Sequence, residues 1–293
     1  MNKTYKNIGG VQIFAAGAIW GTLGLFITQL NRCGSDSMTT SFLRVMFAFF
    51  IMAIITAAKS GLRSFIVDGK TLLSCALLGI ICHGIYNVFY SIAVIKAGVT
   101  ISAVLLNIAP VFTALTSLIM FAERLTPTKL FAIAVNVLGC ILAVTGGDIS
   151  LAGLSVTGIL FGIGAGFCYS LTAIIGRIAG GKADAFVIST YSYLFAALFL
   201  ALFLKPMGTE ISVNREMLIW GFLFALIPTS IAYIIYYKGV QKITESSKVP
   251  VYASVETIVA AVLGVLILHE SIGIINIGGI ALVIASIALM NRR

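Results

Sequence analysis

One acidic residue, Glu256, stands alone in an apolar run at 249–268 that is long enough to cross a bilayer. A carboxylate at such depth costs on the order of 3 kcal/mol unless it meets water, a partner or a proton. We therefore predict that Glu256 faces a cavity, where it binds either an ammonium group or a proton. The alternative is a glutamate that is hydrogen-bonded inside a helical bundle and locks helices together.

Arg44 is the one basic residue deep in another apolar run, at 37–58. Its planar guanidinium suits a carboxylate group of a bound molecule. The alternative is a structural arginine that caps backbone carbonyls or extends toward the membrane surface. A direct pair with Glu256 is disfavoured, because helix geometry places the two residues about 10 Å apart in depth. A bound zwitterion would bridge part of that gap.

Polar and aromatic residues recur at three- and four-residue spacing in two further runs, which places each set on one helical face. The sets are His83, Tyr86, Asn87 and Tyr90 in one run, and Thr229, Tyr233, Tyr236 and Tyr237 in the other. Such a face should meet a cavity, where aromatic rings can hold ammonium groups, or pack on another helix. For Tyr237 we favour packing or interfacial anchoring over a place in the cavity, and for His83 a buried core histidine over a proton relay.

Two prolines predict kinks, because proline removes a backbone donor and frees a carbonyl. Pro110 should bend the fourth apolar run, three residues after the polar Asn107, and Pro228 should bend the eighth. Trp20 and Tyr169 are further cavity candidates. The alternative for the kinks is that they only shape the helices.

The composition indicates an integral membrane protein, since 60% of the 293 residues are hydrophobic and 10% are charged, against roughly 25% charged in soluble domains. Ten apolar runs are long enough to span a bilayer as helices. They lie at about 8–30, 37–58, 71–94, 99–121, 130–147, 153–176, 185–204, 217–237, 249–268 and 272–290. We therefore predict an all-α membrane protein, and we expect no nucleic-acid partner despite the net charge of +9, because the basic residues lie in short clusters between the runs.

The distribution of basic residues predicts the orientation. Fourteen of the 19 lysines and arginines fall on the side that carries both termini. Four fall on the opposite side, namely Arg32, Lys96, Lys205 and Arg215. Because positive residues favour the cytoplasmic side, both termini are predicted to be cytoplasmic and the membrane to be the inner or plasma membrane.

The two halves of the chain are similar at an offset of 147 residues. Pairs at this offset include Arg44 with Tyr191, Tyr86 with Tyr233, and Glu123 with Glu270. We therefore divide the chain into a first repeat at 1–147 and a second repeat at 148–293, each with five spans. Because five is odd, the second repeat is inverted in the membrane, an arrangement from which carriers build a midplane site.

Several short features are predicted to be structural. Gly17-x-x-x-Gly21 and Gly162-x-x-x-Gly166 should allow close helix packing. Thr126-Pro127 is typical of a helix start. Glu123 and Glu270, at span ends on opposite faces, are expected to satisfy amides of the next helix.

Ordered motifs in both repeats are similar to a known family. They are Ala18-Ile19-Trp20-Gly21, Leu43-Arg44-Val45, Phe89-Tyr90, Asn107-Ile108-Ala109-Pro110-Val111-Phe112 with Glu123-Arg124-Leu125-Thr126, and Val255-Glu256-Thr257 with His269-Glu270. Together they resemble the EamA-type branch of the drug/metabolite transporter superfamily over nearly the whole chain. Thr257 stands where that family usually has proline. The resemblance implies ten helices around a central cavity and movement of amino acids or other small metabolites, often as export.

These observations predict a secondary transporter that works by alternating access, either with proton coupling through Glu256 or by facilitated diffusion, as a monomer or a homodimer. We expect no cofactor and no enzymatic activity, because the sequence has no P-loop, catalytic triad or metal-ligand motif. Two alternatives are a carrier of cationic amines such as choline, with Arg44 structural, and a membrane scaffold that transports nothing.

Overall fold

Ten helical segments form a bundle in the structure, a computed structural model that describes residues 3–148, 155–204, 213–269 and 271–291, with side chains from residue 8 onward. The segments long and apolar enough to cross a membrane are α1 (Ile8–Arg32), α2 (Ser37–Ser60), α3 (Gly69–Ala97), α4 (Val99–Phe121), α5 (Pro127–Thr145), α6 (Val156–Gly180), α7 (Ala185–Leu204), α8 (Arg215–Val240), α9 (Ser246–Leu268) and α10 (Ile274–Asn291). No β-strand occurs in these ranges. The prediction of an all-α protein with ten spans is confirmed.

Five of the segments are interrupted. α1, whose helix starts at Lys3, consists of Lys3–Trp20 and Leu23–Arg32. α4 consists of Val99–Leu106 and Ala109–Phe121. α9 begins with a 3₁₀ turn at Ser246–Lys248 and continues as Val249–Ala253 and Val255–Leu268. α3 contains a π-helical stretch at Leu78–Ile85, and α8 contains one at Ala225–Ile231. A further 3₁₀ turn, Leu62–Phe65, joins α2 to α3.

The interruptions recur at the 147-residue offset. The π-helical stretches begin at Leu78 and Ala225, and the breaks of α4 and α9 fall at Asn107 and Ser254. The left-handed residues that end α4 and α9 are Ala122, with φ of 50°, and His269, with φ of 57°. Three independent backbone features therefore relate the first five segments to the last five, as in a pair of five-helix repeats.

Side-chain caps start several helices and fix where they begin. The carboxylate of Asp36 accepts hydrogen bonds from the amides of Met38 and Thr39 at the start of α2. The predicted cap at Thr126 is confirmed, since its hydroxyl accepts from the Lys129 amide at 3.4 Å and Pro127 follows it. Each such bond satisfies an amide that has no partner inside its own helix.

Glycines bring the interrupted helices close to their neighbours. A Cβ atom on Gly21 of α1 would lie 2.5 Å from the Cβ of Val259 in α9. A Cβ atom on Gly166 of α6 would lie 2.9 Å from the carbonyl oxygen of Leu105 in α4. The predicted close packing is therefore present, and it joins α1 to α9 and α6 to α4. In contrast, large apolar side chains such as Ile119, 82% exposed, face outward toward the expected lipid.

Candidate functional site

A central cavity of about 420 Å³ lies where the breaks of α4 and α9 meet. Eight of the eleven predicted binding residues line it: Trp20, Arg44, Tyr86, Tyr90, Asn107, Tyr169, Tyr233 and Glu256. Pro110 lines it as well. The cavity thus gathers residues from both ends of the sequence into one polar and aromatic chamber.

Broken helices direct two helix N-termini at the cavity. The second part of α4 begins at Ala109, with Pro110 in its first turn, and the second part of α9 begins at Val255. The break of α4 therefore falls at Asn107 and Ile108, just before Pro110, which has no amide hydrogen to extend the preceding helix. The break of α9 forms although Thr257 stands at the position equivalent to Pro110.

Glu256 lies in the first turn of the second part of α9. An acidic group is stabilised there by the partial positive charge of the helix N-terminus. Its half-buried side chain lines the cavity, and within the described residues it forms no hydrogen bond and no ion pair. The carboxylate is therefore open to a ligand.

Arg44 is positioned by a hydrogen bond to a polar side chain on α3. Its guanidinium donates to Oδ1 of Asn87 at 3.3 Å and lies 5.4 Å from the ring centroid of Phe224. Its buried Nε has no partner, and no carboxylate of the described residues lies within 4.0 Å of it. Arg44 and Glu256 thus present opposite charges to one cavity without pairing.

Asn87 lies behind the cavity lining. Its Oδ1 also accepts a hydrogen bond of 2.9 Å from Ser41, and its amide nitrogen donates to the carbonyl oxygen of His83. With three partners, Asn87 is well placed to orient Arg44. Asn87 does not line the cavity, so the structure does not support its predicted direct contact with a ligand.

His83 and Tyr236 also lie behind the lining. His83 is 1% exposed, and its Nε2 lies 3.3 Å from the hydroxyl oxygen of Tyr237. Tyr237 is 0% exposed, so of the two roles predicted for it, packing inside the bundle is observed and anchoring at the membrane interface is not. Ring contacts with residues of α7 and α8 keep the side chains of His83 and Tyr236 inside the bundle.

Aromatic rings form the walls of the cavity. Tyr86 stacks on Tyr90 with ring centroids 5.9 Å apart and approaches Tyr169 at 5.6 Å. Trp20 contacts the ring of Tyr233 at 4.9 Å and that of Tyr236 at 5.0 Å. Such ring faces are suited to cationic or aromatic groups.

Pro228 lies in the π-helical stretch of α8. Because proline has no amide hydrogen, the carbonyl of Phe224, four residues earlier, loses its usual helical donor. The hydroxyl of Thr229 donates to that carbonyl at 3.0 Å. The irregular backbone of α8 is thus satisfied inside the bundle.

Asn136 of α5 is a cavity residue that sequence analysis missed. It is 0% exposed, and its Nδ2 donates to Oγ of Ser254 at 2.7 Å and to Oγ of Ser286 at 2.9 Å. Ser254 and Thr257, on either side of Glu256, also line the cavity. The signal available in the sequence was a lone asparagine in the apolar run 130–147.

The cavity lies toward the face opposite the termini. Its lining on α4 extends from Ala103 to Pro110, and its lining on α5 from Asn136 to Val144, which are the halves of those helices farther from the termini. A void of about 20 Å³ lies beside it, lined by Thr113, Ser170 and Tyr236 among others.

Contacts between α4, α5, α6 and α9 close the face that carries the termini. We call these residues the termini-face cluster: Phe121, Glu123, Lys129, Arg177, Glu245, Ser246, Ser247 and Lys248. Glu123 accepts hydrogen bonds from the hydroxyl and, at 3.5 Å, the amide of Ser247. Glu123 therefore satisfies an amide at the start of α9. The prediction that it satisfies an amide of the next helix, α5, is wrong. Its equivalent Glu270 lies outside the described residues.

Charged groups surround this contact. Arg177 donates to Oγ of Ser246 at 3.1 Å and lies 4.1 Å from the ring centroid of Phe121. Lys129 lies 3.2 Å from Glu245, and Lys248 lies 2.6 Å from it. Partial burial acts to raise the pKa of Glu245, but the bond to Lys248 and the charges of both lysines outweigh it and lower the pKa.

No group of three metal-ligating side chains occurs among the residues that the structure describes. The four cysteines inside the helices are buried and free. A ten-helix bundle with paired helix breaks around a polar cavity is the architecture of an inverted-repeat membrane carrier.

The model of the EamA-like transporter family matches residues 7–145 and again residues 156–292. The chain therefore belongs to the EamA-like transporter family, within the drug/metabolite transporter superfamily. It is a multi-pass membrane transporter and not an enzyme. The resemblance derived from the motifs is confirmed.

Similar proteins cover the whole chain. An uncharacterized transporter of Archaeoglobus fulgidus is 24% identical over 97% of this chain and 96% of that protein. The uncharacterized inner membrane transporter YicL of Salmonella typhimurium is 24% identical over 99% of this chain and 97% of that protein. A chain of known crystal structure has a TM-score of 0.82 and 16% identity over 99% of this chain and 98% of that chain, which supports the fold.

Proposed function

We propose that this protein is a secondary transporter that moves amino acids or similar small polar metabolites across the cytoplasmic membrane by alternating access. The observation that carries the proposal is the pair of unneutralised charges, Arg44 and Glu256, in one cavity. A zwitterion satisfies both, with its carboxylate on Arg44 and its ammonium group on Glu256. The solute thereby replaces the hydration that each charge loses inside the membrane.

Alternating access requires one closed and one open face. The termini-face cluster supports this part of the proposal, because it joins Glu123 to Ser247 across the two repeats. In the proposed cycle, the repeats at 1–147 and 148–293 rock against each other, and these contacts break as the opposite face closes. The paired breaks of α4 and α9 supply hinges at the level of the cavity.

Direction and coupling follow from the orientation that the basic residues favour. With both termini in the cytoplasm, the described cavity faces outward, and an exporter would release its solute from this state. Glu256 supports proton coupling, because a proton and an ammonium group compete for one carboxylate. Either a monomer or a homodimer in a lipid bilayer contains the complete cavity, since all lining residues come from one chain.

A second candidate substrate is a cationic amine such as choline. The aromatic walls of Tyr86, Tyr90 and Tyr169 favour it, because ring faces attract quaternary ammonium groups. In that case Glu256 binds the charge, and Arg44 is structural. The unpartnered Nε of Arg44 favours a carboxylate-bearing solute instead.

Transport by proteoliposomes tests the proposal. A library of amino acids and amines is first screened for solutes that raise the melting temperature of the purified protein, because a ligand of the folded state stabilises it. The stabilising solute, labelled, is then followed into vesicles with and without a pH gradient. We expect saturable uptake of a zwitterion that responds to the gradient. Uptake of choline without any zwitterion would select the second candidate, and no uptake of any solute would reject both.

A further inference from the structure

The orientation of the Asn136 side chain leaves an acceptor oxygen without a donor. The hydroxyl of Ser254 donates to the carbonyl of Val251 at 2.7 Å, and that of Ser286 donates to the carbonyl of Val283 at 2.7 Å. Because each hydroxyl has one hydrogen, both serines must accept from Asn136. The amide nitrogen therefore faces the serines, and Oδ1 is directed away from them.

Oδ1 of Asn136 is buried and has no hydrogen-bond partner. An amide oxygen in this state costs free energy until a donor reaches it. The asparagine lines the cavity, so the donor can come from a bound solute. This acceptor is independent of the charges on which the proposed function rests.

Asn136 and Glu256 line the same cavity, where α5 packs against α9. Asn136 bonds to Ser254, two residues before Glu256, and Cys140, one turn further along α5, lies with its Sγ 3.6 Å from the hydroxyl oxygen of Thr257. The same face of α5 thus contacts α9 two residues before Glu256 and one residue after it. A carboxylate and an oriented amide oxygen together form a patch of acceptors.

We infer that Asn136 and Glu256 form one subsite for an ammonium group that carries N–H hydrogens. The ammonium group donates one hydrogen to Oδ1 of Asn136 and one to the Glu256 carboxylate. A quaternary ammonium satisfies the charge of Glu256 but leaves the amide oxygen unpaired, since it has no N–H. The inference rests on the proposed function and narrows its substrate class to primary or secondary amines and amino acids.

Matched pairs of small solutes test this subsite in the purified full-length protein. Glycine is compared with glycine betaine, and ethanolamine with choline, by calorimetric titration. Each pair differs only in three N-methyl groups. We expect the N–H form to bind at least about tenfold more tightly, because the trimethylated form leaves a buried acceptor unpaired. Equal affinities within both pairs, or binding of neither N–H form, would overturn the inference.

Asn136→Leu should abolish the preference within each pair. Asn276→Leu is the matched control, because Asn276 also bridges α10 to α5, through the carbonyl of Ala143, and its own side chain does not line the cavity. The control should retain the preference. If Asn136→Leu does not fold, the comparison within each pair on the native protein decides the matter.

Two further outcomes separate this inference from the proposed function. Stabilisation by sodium chloride that depends on Asn136 and needs no amine would make the oxygen a sodium ligand and overturn the inference. Transport of a carboxylate or zwitterion that lacks N–H hydrogens would also overturn it, while transport itself stands. Failure of the native protein to transport any solute would reject the proposed function.

Discussion

Equivalent positions in the two repeats have similar backbone structure but side chains of different charge. Ala109 of α4 and Glu256 of α9 are 147 residues apart, and both line the cavity. Arg44 of α2 also lines it, whereas its equivalent on α7, Tyr191, donates its hydroxyl to the carbonyl of Phe65 at 2.6 Å. The breaks and π-helical stretches, in contrast, occur in both repeats.

This difference separates two requirements of a carrier. A symmetric backbone provides two related conformations, each open at one face. An asymmetric set of charges makes one oriented site, with the acid contributed by the second repeat and the base by the first. The following variants change either a charged side chain or a contact of the helices, and they test which of the two determines transport, binding, opening and stability.

The largest expected effect comes from removing the acid of the second repeat. Glu256→Gln should lower the rate of solute uptake by about 100-fold, because the ammonium group loses a buried charged partner. Initial uptake rates in proteoliposomes measure this. Glu216→Gln is the control, since it removes an exposed acid outside the cavity and should retain most of the rate. Undiminished uptake by a well-folded Glu256→Gln protein would remove this residue from the site.

Removing the base of the first repeat should have the next largest effect. Arg44→Gln is expected to weaken binding of zwitterions by about 30-fold, while binding of amines without a carboxylate should change little. Calorimetric titration gives both affinities. Tyr191→Phe, at the equivalent position, should leave both unchanged. Equal losses for zwitterions and amines would indicate that Arg44 supports the structure instead.

A smaller effect is expected at the closed face. Ser247→Ala removes the hydroxyl bond to Glu123, worth about 1 kcal/mol, and should shift the balance toward opening of the termini face about fivefold. The rate at which a maleimide labels Ser117→Cys, a buried position on α4, reports this shift in a protein whose native cysteines are replaced. An unchanged labelling rate would exclude this contact as a gate.

The smallest effect should come from the backbone of α8. Thr229→Val removes the hydroxyl bond to the carbonyl of Phe224 and should lower the free energy of unfolding by about 1 kcal/mol. Thermal unfolding with and without solute measures this loss. Thr229→Ser retains the hydroxyl and should behave like the native protein. A larger loss in Thr229→Ser than in Thr229→Val would show that packing of the methyl group matters more.

The sequence predicts most of the fold because the membrane imposes strong rules. A helix must be apolar over its full length, so each span is visible as an apolar run. Polar residues inside such runs are costly, which is why the sequence predicts Arg44, Asn107 and Glu256 as binding residues, and all three line the cavity. Their common cavity follows from the same rule.

The remaining details depend on local geometry that spacing does not encode. His83 lies in, and Asn87 just after, the π-helical stretch Leu78–Ile85. A π-helical turn holds more residues than an α-helical turn and rotates the following face. A stripe drawn with α-helical spacing therefore misplaced His83. Asn87 follows Tyr86 by one residue, so its side chain points away from the face that Tyr86 and Tyr90 share. Asn136 was missed because its partners Ser254 and Ser286 lie more than one hundred residues away in sequence.

The termini-face cluster has a layered arrangement with a consequence for its response to ionic strength. Its outer ion pairs involve Glu245, whose side chain is 37% exposed, whereas Glu123 beneath them is 6% exposed. Dissolved ions screen exposed charges over about 8 Å at physiological concentrations but act far less on buried groups. Rising salt should therefore loosen the outer layer and leave the inner bond between Glu123 and Ser247 in place.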